Sequence, residues 1–349
     1  MKNIKINNKL SFSQNFPPLV IAEISCNHGG SKKSLIKHIE IANKYGADLV
    51  KIQTYEASDI TSPRKNKTLK INKGLWKNKY YWDLYKKAQT PYSWHKDAFS
   101  FAKKKGITLF STPFSIKAVN FLESLKVSLY KISSFEITDL NLIDRIGKTK
   151  KPVIISTGMS SMQEIKNAIK CIKKYHSKIV VLHCVSGYPT PNKDAHLERI
   201  NILKKELPGT LVGLSDHTNN IKTSVASSLL GIVAIEKHFV ISNKVKSEDK
   251  KFSILPADLR SLKSETQKYF EFLGKKNLKI KKSEKDSLKF RRSIYALKDL
   301  KKGKKITAEN ICCLRPKIGI GSEFFFKIIG KKLKRNKKSY DPIRFSDLS

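Results

Sequence analysis

Two histidines each close a short apolar run and follow another polar residue two positions earlier. His217 follows Ser215 in LVGLSDH (from Leu211), and His238 follows Glu236 in IVAIEKHF (from Ile232). Side chains two apart on a strand share a face, so each pair projects in one direction. A single buried histidine more often serves packing than chemistry. Two of them on neighbouring strand ends can jointly hold a divalent cation, and imidazole with water or carboxylate suits Mn, Fe, Co or Zn.

Two lysines point to a second partner. Lys51 in ADLVKIQT (from Ala47), which shares a face with Gln53, and Lys131 in LYKISS (from Leu129) sit in otherwise apolar strands. A buried ammonium is costly unless a negative charge faces it, and a bound phosphate or carboxylate supplies one. The hydroxyls of Thr112, Ser134, Ser156 and Ser215 fall at strand ends as well and can donate to the same anion. The plainer alternative pairs one lysine with Glu23 or Glu136. Two lysines with four hydroxyls point instead to a phosphorylated small molecule. The chain contains no GxxxxGK[ST] loop, no strand-to-helix GxGxxG and no GxSxG elbow, which disfavours nucleotide-driven and Ser-His-Asp chemistry.

The elements that must position these residues are eight apolar runs, each trailed by a helical pattern. They begin at Pro18, Ala47, Ile107, Leu129, Pro152, Ile179, Leu211 and Ile232. Helical patterns run over 31–45, 93–105, 116–125, 139–146, 162–175, 194–206, 220–230 and 256–273, several opening on Ser, Asp or Asn. Eight strand-helix units over roughly 250 residues predict a (β/α)8 TIM barrel, an α/β fold with its active site at the C-terminal strand ends. The polar and ionisable residues fall at those ends. A longer insertion between the second and third strands, GLWKNKYYWDLYKKAQTP (74–91), is a place for substrate contacts or a lid, or for aromatics that merely pack the loop.

The expected catalytic barrel spans 1–273, with a Lys-rich linker over 274–288 and a small β-rich domain over 289–349, in which KDLKKGKKIT reads as strand, turn, strand. The net charge is +41, yet only nine of the 70 basic residues are Arg and the lysines are dispersed. That pattern reads as a solvated surface that draws anionic substrates inward, and not as a nucleic-acid or membrane interface. The five cysteines form no CxxC pair and no zinc spacing, which predicts free thiols in a reducing compartment. No stretch reaches the length of a membrane span, and MKNIKINNKL lacks a signal-peptide core, so a cytoplasmic protein is expected.

In order and spacing, IAEISCNHGG, GADLVKIQTY, FSTPFS, YKISSFEITDLNLI, KPVIISTGMSS, LHCVSGYPTP, VGLSDHT and IEKHF resemble the sialic acid synthase family. That family condenses phosphoenolpyruvate with an N-acetylated amino sugar to give a nonulosonic acid. The tail resembles its antifreeze-like (SAF) domain. Within the family, Trp82–His95 and SSFEITDLNLI look most like the pseudaminic acid branch, which implies 2,4-diacetamido-2,4,6-trideoxy-L-altrose as the sugar.

The resemblance implies roles residue by residue. His217 and His238 match a metal-binding pair for Mn2+, with Mg2+ or Co2+ as substitutes. Lys51, Thr112, Lys131, Ser134, Ser156 and Ser215 match positions that hold phosphoenolpyruvate. Glu23 matches a carboxylate near the reacting carbons, and Gln53, Glu136, Tyr188 and Asp249 match substrate-side contacts. Arg315 matches an arginine that reaches the sugar in the partner subunit's site, which implies a domain-swapped homodimer. The chain departs from the family pattern at three places. KSED (246–249) replaces a glycine-proline turn ahead of Asp249, Ser186 stands where the sialic acid branch often has Asn, and RNKKSYDPI lacks a glycine turn, which predicts irregular final strands. Rival readings are a phosphoenolpyruvate-condensing barrel acting on a sugar phosphate, a neuraminate or legionaminate synthase, and a Lys-rich RNA-binding protein.

Overall fold

The structure, a computed structural model, describes residues 3–274 and 277–349. Lys275 and Lys276 of the expected linker, and the first two residues of the expected barrel, lie outside the described residues. The chain forms two compact units, Met1–Gly274 and Lys275–Ser349.

In the first unit eight parallel strands close a barrel in chain order: β1 (Leu19–Glu23), β2 (Leu49–Thr54), β3 (Leu109–Pro113), β4 (Tyr130–Ile132), β5 (Val153–Ser156), β6 (Ile179–Cys184), β7 (Leu211–Asp216) and β8 (Ala234–His238), with β8 pairing back onto β1. Each strand is buried on both faces, which is why the runs are continuously apolar and do not alternate. Residues of one parity, such as Val20, Val50, Ile155 and Val181, pack against the helices. Those of the other parity, including Leu19, Ile21, Leu49, Phe110, Ile154 and Leu182, form a separate interior cluster. Gly213 belongs to the interior row: a side chain there would lie 2.5 Å from Leu182 Cδ2 and 2.6 Å from Ala234 O.

An antiparallel hairpin that the sequence reading did not anticipate, Asn3–Lys5 with Ser11–Ser13, adds Ile4, Ile6 and Phe12 to that interior cluster. It plugs the N-terminal end of the barrel with apolar side chains. Toward the other end the same interior rows turn polar: Ile21 gives way to Glu23, Leu49 to Lys51, Leu129 to Lys131, Ile154 to Ser156 and Ala234 to Glu236. Chemistry is thereby confined to one mouth.

Helices over Lys32–Lys44, Tyr92–Lys104, Ile116–Ser124, Leu140–Gly147, Met162–Lys173 and Pro256–Leu273 cover the barrel, close to their expected spans. Ser31, Ser115 and Asp139 cap the next backbone N–H groups, and Ser161 forms a capping box with Glu164. Each such cap contributes about 1 kcal/mol. Two expected helices are shorter than their patterns. The 194–206 helix occupies only Arg199–Glu206, because His196 takes φ +42, which no α-helix admits. The 220–230 helix is α-helical over Lys222–Ser227 and tightens to a 3-10 turn over Ser228–Leu230, closed by Gly231 at φ +61. Among the described residues no helix is long and apolar enough to cross a membrane.

The second unit has its own core of Ile294, Ala296, Leu300, Ile306, Ile311, Ile320, Ile328, Leu333, Ile343 and Leu348. Ser293–Ala296 pairs antiparallel with Ile311–Leu314. KDLKKGKKIT makes its turn, Lys304 N–H donating to Lys301 O at 3.1 Å, but its two arms pair with a later segment and not with each other. Leu300 bridges Lys337 and Lys305 bridges Lys332, while Gly303 N–H donates to Leu333 O at 2.7 Å, so a later segment takes the hydrogen bonds a local hairpin would use. The final stretch runs beside Ser293–Ala296 without a regular strand among the described residues: Tyr295 bridges Pro342, Ala296 N–H donates to Asp341 O at 3.0 Å and Ile343 N–H to Ile294 O at 2.9 Å.

Candidate functional site

The polar mouth is organised by Glu236, on the interior row of β8. Its Oε1 accepts from Lys131 Nζ at 3.0 Å and Ser215 Oγ at 3.2 Å, and lies 3.0 Å from Lys51 Nζ. Lys51 Nζ also forms an ion pair with Glu23 Oε2 at 2.7 Å. Gln53 Nε2 reaches Glu23 Oε1 at 3.4 Å. All four charged groups are buried. Burial alone would raise the Glu236 carboxyl, but Lys131 and Lys51 outweigh it and hold the group far below the carboxylate range. Burial brings Lys51 down to about 7, against the opposing pull of Glu236.

These contacts correct the expectation that the two lysines wait for a bound anion to balance them. Carboxylates already face both ammonium groups, as the plainer reading allowed, but the main partner is Glu236, to which the sequence reading assigned no role. Closure of the barrel is the cause: it sets β8 beside β1 and opposite β4, and sequence spacing does not show that closure. The signal was nonetheless present, since Glu236 shares its strand face with His238. Glu136, the other suggested counter-charge, sits on a 3-10 turn (Ser134–Glu136), where its carboxylate accepts from the Ser133 hydroxyl. Burial pushes it up to about 7.

The hydroxyls divide into two groups. Thr112 on β3 and Ser156 on β5 are buried, and their oxygens have no partner among the described residues. Ser215 donates to Glu236, as above, and Ser134 Oγ accepts from Gly158 N–H at 2.9 Å. Orphaned buried hydroxyls are rare in finished packing, so Thr112 and Ser156 are donors still open to a ligand.

At the next level up stand the two imidazoles, with ring centroids 5.3 Å apart. His217, one residue past β7, directs Nδ1 at Val185 O at 3.0 Å; a carbonyl only accepts, so Nδ1 carries the proton and Nε2 keeps a lone pair. His238 ends β8 with Nδ1 buried and unpartnered, 3.7 Å from Asp249 Oδ2. Burial, helped by His217 and Lys51, holds His238 well below the ordinary imidazole range and therefore neutral. Burial would lower His217 as well, but Cys184, the Val185 carbonyl and Asp216 outweigh it and raise the group. In the neutral tautomer its Nε2, with the neutral His238, fits a divalent cation. Among the described residues no cluster of three or more His, Cys, Asp and Glu is arranged as a complete metal cage. Asp249 reaches the site although KSED lacks the glycine-proline turn. Burial raises its carboxyl, and Ser25 and Cys26 hydrogen bonds oppose that rise.

Aromatic rings wall this end. Tyr188, in the loop after β6, lies 4.5 Å from the His217 ring, and Phe252 lies 5.1 Å from Tyr188 and 4.8 Å from His238. Phe252 and Cys184, whose Sγ lies 3.9 Å from His217 Nδ1, escaped the sequence reading. Cys184 was visible as the last residue of an apolar strand run; no local pattern marked Phe252. Arg315 belongs to the second unit, just after Ile311–Leu314, and is exposed there.

A closed eight-stranded parallel barrel with paired lysines, buried hydroxyls and paired imidazoles gathered at one mouth is the architecture of a (β/α)8 enzyme. The NeuB family matches residues 38–278 and the SAF domain matches residues 291–349, and the chain belongs to the NeuB family. It is 36% identical to a pseudaminic acid synthase of Campylobacter jejuni over 97% of this chain and 98% of that protein. A pseudaminic acid synthase of Helicobacter pylori is 35% identical over 95% and 98%. Among solved structures, the N-acetylneuraminic acid synthetase of Leptospira borgpetersenii in complex with citrate superposes with a TM-score of 0.75 at 29% identity, covering 83% of this chain and 96% of that one.

Proposed function

We propose that this protein condenses phosphoenolpyruvate with 2,4-diacetamido-2,4,6-trideoxy-L-altrose, forming pseudaminic acid and releasing phosphate. The observation that carries the reading is the mouth itself: Lys51 and Lys131 within 3.0 Å of one carboxylate oxygen, with the unpartnered Thr112 and Ser156 hydroxyls in the same interior ring and two imidazoles above. The likeness to two pseudaminic acid synthases over nearly the whole chain supports the choice of sugar.

The phosphate and carboxylate of phosphoenolpyruvate take the lysine ammonium groups and the open hydroxyls as donors, with Ser134 and Ser215 completing the ring. The C2=C3 π electrons of phosphoenolpyruvate form the bond from C3 to the aldehyde carbon of the open-chain sugar, and the opened carbonyl oxygen takes up a proton to become a hydroxyl. Water adds at the cationic C2 and loses a proton, and the C2–O bond to phosphate then breaks, leaving the C2 ketone and inorganic phosphate. His217 and His238 would hold a divalent cation, Mn2+ with Mg2+ or Co2+ as substitutes, which when bound supplies Lewis-acid polarisation of that aldehyde. Glu23 stands in register between His238 and Lys51, where it orients water or accepts its proton. Gln53, Glu136, Tyr188 and Asp249 position the sugar, and the low-dielectric mouth strengthens each of these contacts.

By this reading the barrel domain (1–273), linker (274–288) and SAF domain (289–349) work as a domain-swapped homodimer in the cytoplasm, with Arg315 of each protomer serving the other's barrel. The test is purified protein with phosphoenolpyruvate, manganese and a panel of diacetamido-sugars and hexosamines, free and phosphorylated, with products identified by mass. Condensation of the free diacetamido-sugar is expected. Turnover of sugar phosphates alone would transfer the reading to the sugar-phosphate rival, and steeply salt-dependent RNA affinity without phosphate release would remove it.

A further inference from the structure

The insertion between β2 and β3 brings to the barrel mouth a tryptophan that the reaction described above does not use. Residues 70–80 form a narrow hairpin in which Lys70 bridges Tyr80, Ile71 N–H donates to Lys79 O at 2.9 Å, and Asn78 N–H donates to Ile71 O at 2.8 Å. Trp76 occupies its turn. The indole lies 5.8 Å from the Tyr188 ring and 6.5 Å from Phe252, centroid to centroid. Since those rings touch His217 and His238, Trp76 is one ring removed from each imidazole.

The hairpin is pinned in place. Glu248 accepts from Lys79 Nζ at 2.5 Å through one oxygen and from Lys87 Nζ at 2.9 Å through the other. Both lysines belong to the insertion, and Glu248 adjoins Asp249, whose carboxylate faces His238. The segment that replaces the family's glycine-proline turn thus ties the insertion to the site.

The indole N–H of Trp76 is buried and has no acceptor among the described residues. Indole nitrogen only donates, and a buried donor without an acceptor is costly, so its partner is an acceptor that arrives with a ligand. The surroundings narrow the chemistry: a donor carried on a ring that packs against Tyr188 and Phe252 suits a group with a carbonyl oxygen and an apolar end. An acetamido group has both, whereas a hydroxyl has no methyl for the rings to cover.

We infer that Trp76 is a specificity-determining residue of the sugar site, its indole N–H donating to the carbonyl oxygen of one acetamido group while Trp76, Tyr188 and Phe252 enclose the methyl. The inference rests on the synthase reading above. A site built to hydrogen-bond a substrate group rejects the analogue that lacks it, because the buried donor is left unpaired.

The test compares wild type with Trp76→Phe, which keeps a ring and removes the donor, on the diacetamido-sugar and on an analogue carrying hydroxyl in place of one acetamido group. The variant is expected to raise KM for the diacetamido-sugar about tenfold while KM for phosphoenolpyruvate and for the hydroxyl analogue stay within about twofold. In wild-type protein labelled with 15N, the Trp76 indole signal is assigned by elimination with Trp82→Phe and Trp94→Phe. It is expected to shift with the diacetamido-sugar and not with the analogue. An unshifted signal, or equal effects of Trp76→Phe on the two sugars, overturns the inference while leaving the synthase reading intact. Wild-type protein that condenses no diacetamido-sugar at all overturns both.

Discussion

Lys131 and Glu236 face each other across the barrel, Nζ to Oε1 at 3.0 Å, from strands diametrically opposed and 105 residues apart in sequence. Their pairing closes the polar layer from wall to wall, and Lys51 joins the same oxygen from β2. Both ammonium groups share one oxygen of Glu236, while among the described residues its second oxygen has no hydrogen-bond donor.

Glu236→Gln keeps the shape of the side chain and removes this shared charge. Two buried ammonium groups then depend on Glu23 alone, and the free energy of unfolding in urea is expected to fall by about 3 kcal/mol. Phosphoenolpyruvate should raise Tm more in this variant than in wild type, since an anion now replaces a missing counter-charge. Equal stability and equal response would remove Glu236 from its place as the main counter-ion.

His217→Ala and His238→Ala each remove one of the two imidazoles, while the apolar interior below them is untouched. Calorimetric Mn2+ binding is expected to disappear and metal-dependent kcat to fall by at least about 100-fold, with Tm nearly unchanged in chelator. Undiminished turnover in chelated variant protein would end the metal role.

Acid should destabilise the barrel through histidines outside the mouth. Burial pushes His28, His38 and His95 down to about 4, from 6.5 when exposed. His95 is held by Thr54 at 2.8 Å, and His38 Nδ1 by Ser34 O at 2.8 Å. Between pH 6.5 and 4 the unfolded chain binds more protons than the folded one. The stability tied to neutral imidazole is therefore complete above pH 6.5 and lost as pH falls toward 4, by about 3 kcal/mol for each group at the limit. Urea midpoints measured from pH 7.5 to 4.5 should decline, and His38→Gln should flatten the decline; a pH-independent midpoint contradicts the account.

If the protein works as the proposed domain-swapped homodimer, Arg315→Ala should abolish turnover yet be rescued in mixed dimers with a subunit defective only in its barrel site, such as His238→Ala. Each mixed dimer then holds one complete site, and about a quarter to a half of wild-type activity is expected from the mixing statistics and half-site occupancy. Absence of complementation would place Arg315 outside any site shared between protomers.

Eight buried strands could be read from the chain because parallel strands covered on both faces must be apolar throughout, and the polar residues at their ends stand out against that background. The same contrast marked Lys51, Lys131, His217 and His238 as inward-facing. Local spacing carried no information about which charges would meet. Glu236 became the partner of both lysines through ring closure, an ordering of strands that only the folded barrel possesses. The hairpin that plugs the barrel floor and the Glu248 clamp on the insertion likewise join segments separated by long stretches of chain, each settled by packing and charge pairing in three dimensions. KDLKKGKKIT shows the converse: its pattern suits a local hairpin, yet its backbone groups found better partners in the segment around Leu333 and Lys337. Strand periodicity is a property of neighbouring residues, so the sequence displays it directly; ion-pair partnership is a property of tertiary distance, which the folded chain alone determines.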